Sequence, residues 1–355
     1  MNQVIVRGVG TATPEFELPQ SEAKTFASAM FKNALHDLDR LLTIFKNTKI
    51  KRRALAQPLS WYGKPHTFKE ANEIYTEVAL NISEDAARKA IENAGVSASE
   101  IGAVLMVSST GIATPSLDSP LIQRLGIPLH AQRLPIWGLG CAGGVSGLAR
   151  AHQIAQTLPN TPVLLVAVEL CTLTFQANDM SKANLVATSL FGDGAAAVVV
   201  ESRSEPLPDG KPAFELLKAH STLFPETEYV MGWDLVDSGL MVRFDRSIPS
   251  LVLDHLPKLF HQACQDWDVS TEDIQHFVAH PGGARVLAAY AESLGLPIDR
   301  FRHAYDILSH YGNMSSPTVF FVMNDYINEV KPRDELGVML AWGPGFSAEQ
   351  LLFRW

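Results

Sequence analysis

Three stretches of this chain leave little choice of environment: Ala103 to Ser109, Pro162 to Leu170 and Ala195 to Val200 are nearly continuous apolar runs. A strand with one wet face alternates polar and apolar residues. Runs without alternation therefore read as strands covered on both faces, as in a sheet held between helical layers. Helical spacing of apolar residues fills the intervals. Phe26, Met30, Leu35, Leu38, Leu41, Leu42 and Phe45 mark a helix from Ser21 to Phe45, broken once. A second helix runs from Thr67 to Ala94 and stops at Gly95, after a loop over Pro58 to His66. Further strands are expected at Val4 to Val9, Phe214 to Ala219, Phe277 to Ala279, Gly337 to Trp342 and Glu349 to Phe353. Helices are expected at Pro249 to Trp267, Ala284 to Leu294 and Ser316 to Val330. Strands alternating with helices give an α/β fold. Pro206 to Pro212, rich in Pro, Asp and Gly, is the candidate linker.

The totals exclude several functions. A net charge of −9 without a long basic run does not suit a phosphate-backbone binder, so no nucleic-acid partner is expected. The one basic cluster, Lys49, Lys51, Arg52 and Arg53 behind Lys46, is either a solvated face or the entrance for an anionic substrate. Three cysteines with no CxxC pair form no disulfide framework and fit a reducing, cytoplasmic setting. The first ten residues lack the pattern of a secretory leader, and no apolar stretch is long enough to span a bilayer.

The chemistry is densest around Cys141. Gly138 and Gly140 precede it, Gly143, Gly144 and Gly147 follow, and Val145, Leu148 and Ala149 begin a helical spacing. A cysteine at a helix N-terminus is stabilised as the thiolate by unpaired N–H groups and the helix dipole. A glycine-flanked cysteine is nevertheless more often a packing residue, so partners must decide. His280 stands between the strand ending at Ala279 and the uncluttered turn Pro281 to Gly283, a good place for a base. One histidine among eleven is weak support alone. Asn313 lies in the loop ahead of the Phe320 helix. There it either caps that helix or offers its amide N–H to a carbonyl oxygen. No metal-ligand spacing and no dinucleotide-binding glycine string occurs.

Six strings in order, Gly10-Thr-Ala-Thr-Pro14, Gly140-Cys-Ala-Gly-Gly144, Leu190-Phe-Gly-Asp-Gly-Ala-Ala-Ala197, His280-Pro-Gly-Gly283, Tyr311-Gly-Asn-Met-Ser-Ser316 and Trp342-Gly-Pro-Gly-Phe346, resemble the type III polyketide synthases, the chalcone-synthase-like family. The resemblance implies a thiolase-like fold of two similar βαβαβαββ halves in five αβαβα layers, residues 1–205 carrying the nucleophile and 206–355 the histidine and asparagine. It implies a homodimer and an acyltransferase without cofactor. Cys141, His280 and Asn313 would be the catalytic set, with acyl-CoA and malonyl-CoA as substrates. It places gatekeeper positions at Phe191 and Val242. Val242 departs from the family's phenylalanine and is expected to widen the passage. Cavity positions fall on Ser109, Thr114, Thr174, Ala187, Trp233 and Ser315, and the CoA tunnel rim on Arg40 and Lys46. Cys171 would sit near the cavity wall as a packing residue.

Val242, Glu169 to Phe175 and Met231 to Trp233 look most like bacterial synthases that extend fatty acyl starters into alkylpyrones or alkylresorcinols. Two alternatives stand beside this reading. One is a 3-oxoacyl-ACP synthase III-like enzyme fed by acyl carrier protein. The other is a non-catalytic thiolase-fold partner subunit, a class that typically lacks the nucleophile.

Overall fold

The computed structural model describes residues 2–205 and 214–355, so the expected Pro206 to Pro212 linker lies outside the described residues. The first half contains β1 (Gln3–Ala12), β2 (Phe16–Pro19), α1 (Gln20–Phe31), the single-turn helices α2 (Leu38–Leu41) and α3 (Ile44–Asn47), β3 (Arg52–Leu55) and α4 (Leu59–Tyr62). It continues with α5 (Phe68–Ala94), β4 (Ala103–Val107), α6 (Asp118–Leu125), β5 (Gln132–Ile136), α7 (Gly143–Thr157), β6 (Val163–Leu170), α8 (Lys182–Leu190) and β7 (Asp193–Arg203). The second half contains β8 (Phe214–Leu223), β9 (Met231–Val236), β10 (Gly239–Phe244), α9 (Ile248–Trp267), β11 (Ile274–Ala279) and α10 (Ala284–Ser293). It closes with α11 (Arg302–Tyr311), α12 (Thr318–Glu329), β12 (Leu336–Gly343) and β13 (Ser347–Arg354).

Both halves build the same strand pattern. In the first, β5, β4 and β6 run parallel, and β7 and β1 follow antiparallel. In the second, β11 and β12 are parallel, and β13 and β8 follow antiparallel, with one strand fewer among the described residues. A short ladder between β1 and β8, from Val4 opposite Leu216 to Val6 opposite Phe214, joins the two.

Strand alternation assigns the layers, because successive side chains leave a strand on opposite faces. Val104, Met106, Leu164 and Val166 pack under α5, whereas Leu105, Val107, Leu165 and Ala167 pack against α7. The pair α7 and α12 lies between the two sheet halves, and α9 covers the outer face of the second through contacts such as Phe260 on Phe277. This is the five-layer thiolase-like arrangement. Each such buried aliphatic side chain contributes about 1.5–3 kcal/mol relative to exposure.

The apolar runs at β4, β6 and β7 are buried on both faces, as their sequences require. Helix α5 has the expected bounds because Thr67 and Glu70 form a capping box and Gly95 closes it in the left-handed region at φ 64°. The Ser21 to Phe45 segment differs from expectation. It is three helical pieces with more than one break, and Asp37 at φ 59° turns the chain ahead of α2. Likewise, the Pro58 to His66 loop contains the turn of α4.

Candidate active site

Cys141 lies in a 3-10 turn, Gly140–Ala142, that runs directly into α7. The turn passes close under the β12–β13 hairpin. Gly140 has φ 46°, and a Cβ there would stand 2.8 Å from the Pro344 ring. On the first turn of α7, a Cβ on Gly144 would meet the Ser316 carbonyl oxygen at 2.3 Å. The missing side chain at Gly144 lets the Asn313 to Ser316 loop pack against the turn that carries Cys141, and that at Gly140 makes room for Pro344.

Asn313 is fixed through its backbone first. Its N–H donates to Leu190 O (2.9 Å) and its carbonyl accepts from Gly192 N (3.0 Å), bridging it to the segment that carries Phe191. In the side chain, Oδ1 accepts from Ser315 N (2.8 Å) and Nδ2 donates to Gly282 O (3.2 Å). The second amide hydrogen is directed at Cys141, with Nδ2 donating to Sγ at 3.9 Å. Asn313 is therefore not a cap, since α12 begins at Thr318 behind Pro317. His280 extends β11, its N–H donating to Leu340 O (2.7 Å). Its ring is buried, and neither Nδ1 nor Nε2 has a protein partner. Groups so placed in a native structure call for a ligand or a chemical role.

Cys141, His280 and Asn313 line one small cavity, walled elsewhere by residues such as Met231, Ile248 and Trp342. Burial pushes the Cys141 thiol up to about 11, against hydrogen bonds from Ser315 and Asn313, and pushes the His280 imidazole down to about 3. Neither group ionises readily alone in this closed space. Moving the proton from Sγ to the imidazole leaves the cavity's net charge unchanged, so burial opposes that transfer far less, and the α7 N-terminus favours it.

A second, somewhat larger cavity lies behind Phe191 and Val242, with Leu18, Phe26, Phe175 and Tyr62 on its walls. Thr174, Ala187 and Cys171 line it too, and burial holds the Cys171 thiol well above its ordinary range. Between the two cavities stands an aromatic set the sequence reading did not assemble. Phe191 stacks on Phe244 (centroids 5.5 Å, 23° between planes) and tilts against Trp233 (6.4 Å). Trp233 pairs across β9–β10 with Val242. Phe244 lies two residues beyond Val242, on the same strand face, and lines the cavity that holds Cys141. The passage is accordingly narrower than Val242 alone implies.

The remaining expected positions divide. Ser315, at φ 59°, turns its hydroxyl to Cys141. Ser109 is buried on Glu169, whose carboxylate accepts from Ser109 N (2.9 Å), Ser109 Oγ (3.0 Å), Thr110 Oγ1 (2.8 Å) and Ser316 Oγ (2.9 Å). Thr114 is exposed on its loop and lines neither cavity. Arg40, 77% exposed and paired with Asp37 at 3.6 Å, and exposed Lys46 also lie outside both. Arg53, expected among surface cations, is 2% exposed. Its guanidinium donates to Thr188 O (2.9 Å), Phe191 O (3.1 Å) and Gln20, so it ties β3 to the segment that carries Phe191. Among the described residues, His303, Asp325 and Glu329 form the one group spaced for a metal, on α11 and α12 and outside both cavities. No described helix is long and apolar enough to cross a membrane.

Family models for the chalcone and stilbene synthases match the chain twice, the N-terminal domain over residues 2–204 and the C-terminal domain over 215–355. A putative chalcone synthase of Bacillus subtilis (strain 168) is 42% identical over 358 residues, 99% of this chain and 98% of that protein. A 1,3,6,8-tetrahydroxynaphthalene synthase of Streptomyces peucetius subsp. caesius is 36% identical over 352 residues, 99% and 93% of the two chains. Among solved structures, the 1,3,6,8-tetrahydroxynaphthalene synthase of Streptomyces coelicolor A3(2), described as a bacterial type III polyketide synthase, superposes with a TM-score of 0.91 at 26% identity, covering 99% of each chain.

Proposed function

This chain belongs to the chalcone and stilbene synthase family, the type III polyketide synthases, and from that premise we propose that it takes a medium- or long-chain fatty acyl starter from coenzyme A. It extends the starter with malonyl-CoA and releases an alkylpyrone or alkylresorcinol. Cys141 gives its proton to His280 and attacks the thioester carbonyl; the tetrahedral oxyanion collapses, the acyl group stays on sulfur and coenzyme A leaves with a proton. Malonyl-CoA then loses CO₂. The enolate oxygen so formed takes hydrogen bonds from the Asn313 amide hydrogen that faces Cys141 and from His280, where charge develops and donors help most. The enolate carbon attacks the acyl-Cys141 carbonyl, expels the thiolate and lengthens the chain by two carbons. Repetition needs only transfer back to Cys141. Coenzyme A thioesters supply all the chemistry, without metal, nicotinamide or flavin.

The observation that favours a fatty starter is the apolar cavity behind Phe191 and Val242, where each buried methylene gains about 0.8 kcal/mol. A homodimer is part of the proposal, supported by the exposed apolar side chains Leu134, Trp137 and Ile112 on and beside the β5 edge. The division at residues 205 and 206 and a cytoplasmic setting complete it. A second reading, a tetrahydroxynaphthalene-type product, is favoured by the names of two of the relatives.

Purified protein incubated with a panel of acyl-CoA starters and malonyl-CoA, read by mass spectrometry of the Cys141 peptide and of released products, tests both. Fatty acylation of Cys141 with alkylated triketides or tetraketides supports the proposal, and Cys141→Ala abolishes both signals. Product from malonyl-CoA alone favours the second reading. Acylation only in the presence of acyl carrier protein rejects both in favour of a fatty-acid-type synthase.

A further inference from the structure

Tyr290 stands on α10, ten residues after His280, and is fully buried, its ring tilted against Phe301 at 5.8 Å. Val286, one turn earlier, shares its wall of the catalytic cavity. The Tyr290 hydroxyl has no hydrogen-bond partner. Other unpartnered buried groups exist among the described residues, but only His280 and Tyr290 among them line the cavity that holds Cys141. The other side chains on that cavity's wall beyond the catalytic set are apolar apart from the Trp342 indole, and the Gly282 carbonyl is already taken by Asn313. Burial, and then the charge at Cys141, hold the phenol protonated at any physiological pH, so it is a standing O–H donor.

A fatty acyl group on Cys141 carries no oxygen beyond its thioester. After one condensation it carries a keto oxygen two carbons further on, and each later step adds another. An O–H donor in an otherwise apolar wall is thus idle during loading and has a partner only once extension has begun. We propose that Tyr290 donates a hydrogen bond to a keto oxygen of the growing chain, holding the intermediate for further condensation and so setting how far the chain extends before release. This inference rests on the condensing reading above.

The test is Tyr290→Phe, which removes one oxygen and keeps the ring. Stopped reactions read by mass spectrometry should show Cys141 loaded with the starter at the wild-type rate. Conversion of keto-bearing intermediates to longer ones should fall about five- to tenfold, the range for one lost neutral hydrogen bond. Products should shift toward shorter ones, while the Tm stays at or above wild type because an unpartnered buried hydroxyl has been removed. An unchanged product ratio and extension rate overturn the proposal. A loss spread equally over loading and extension, with a lowered Tm, also overturns it by assigning the ring a packing role. Wild-type product from malonyl-CoA alone removes the fatty starter but leaves Tyr290 standing, since every extension creates the keto oxygens it would bind.

Discussion

The loops that follow β4 and β11 occupy matching places in the two halves, yet their polar groups are treated in opposite ways. After β4, Ser109 and Thr110 are bound to the buried Glu169 carboxylate, and Tyr75 donates to Ser108 Oγ (2.7 Å). After β11, His280 keeps both ring nitrogens unpartnered, and Tyr290 on the next helix does the same with its hydroxyl. A buried polar group without a partner costs about 1–3 kcal/mol, so the second loop stores a cost that a bound substrate can relieve. The halves have thus divided the work. On the proposed mechanism the first uses its polar groups to hold the floor of the site and contributes one sulfur, and the second leaves His280 and Tyr290 unpartnered to meet the substrate.

The sharpest way to break this comparison is His280→Gln. Decarboxylative condensation of malonyl-CoA should fall about 10²–10³-fold, the usual effect of losing an oxyanion donor. The Tm should hardly move, because nothing in the protein bonds to the ring. Alkylation of Cys141 by iodoacetamide supplies the pH arm. In wild type the proton passes to the imidazole, so the rate should level off below the free-thiol range near pH 8.5. In His280→Gln no imidazole takes the proton, and burial holds the thiol high despite the hydrogen bonds from Ser315 and Asn313, so the rate should still be climbing at pH 9 and above. Identical profiles would show that the imidazole does not receive the proton.

The opposite signature is expected in the first half. Glu169→Ala strands the hydroxyls of Ser109, Thr110 and Ser316 and one backbone N–H in a dry interior. Urea unfolding should show a loss of about 2–4 kcal/mol. Loading of Cys141 in the protein that remains folded should change less than tenfold. A stability loss below about 0.5 kcal/mol, or an activity loss as deep as that of His280→Gln, would mean that the halves are not divided in this way.

How far this was legible beforehand follows from where the constraints act. The runs at β4, β6 and β7 declare their burial in one dimension, and the Thr67 and Gly95 caps declare the ends of α5. Strand β5 does not, because Gln132 and Arg133 lie on an exposed edge with no apolar pattern. The four-residue strands β2 and β3 are too short to show a period. Cys141, His280 and Asn313 were singled out by their glycine-rich surroundings and the family strings, and the structure brings all three to one cavity. Arg53 was misplaced among surface cations because only the tertiary structure brings Thr188, Phe191 and Gln20 to its guanidinium. Glu169 was passed over for the same reason, since its donors come from sequence positions some 60 and 147 residues away. Phe244 was within reach, because a period of two from Val242 puts it on the same face of β10.

That last residue carries the smallest expected effect and sharpens the comparison at the boundary between the halves. Phe191 belongs to the first half and Val242, Trp233 and Phe244 to the hairpin of the second, so the gate is built by both. Val242→Phe adds a ring beside Trp233 on the side of the apolar cavity. It should reduce kcat/KM for long fatty acyl starters about tenfold while short ones change less than about threefold, since only the long chain must pass the ring. Phe244→Ala removes the ring stacked on Phe191 from the catalytic side and should shift preference the other way, toward bulkier starters, by a similar factor. Competition between a short and a long acyl-CoA in one reaction, scored by the masses on Cys141, measures both variants against wild type. Opposite shifts make the gate a single aromatic filter shared by the two halves. Equal losses for short and long starters in both variants would instead make these side chains packing for the hairpin, leaving chain length to be set wholly by the cavity behind.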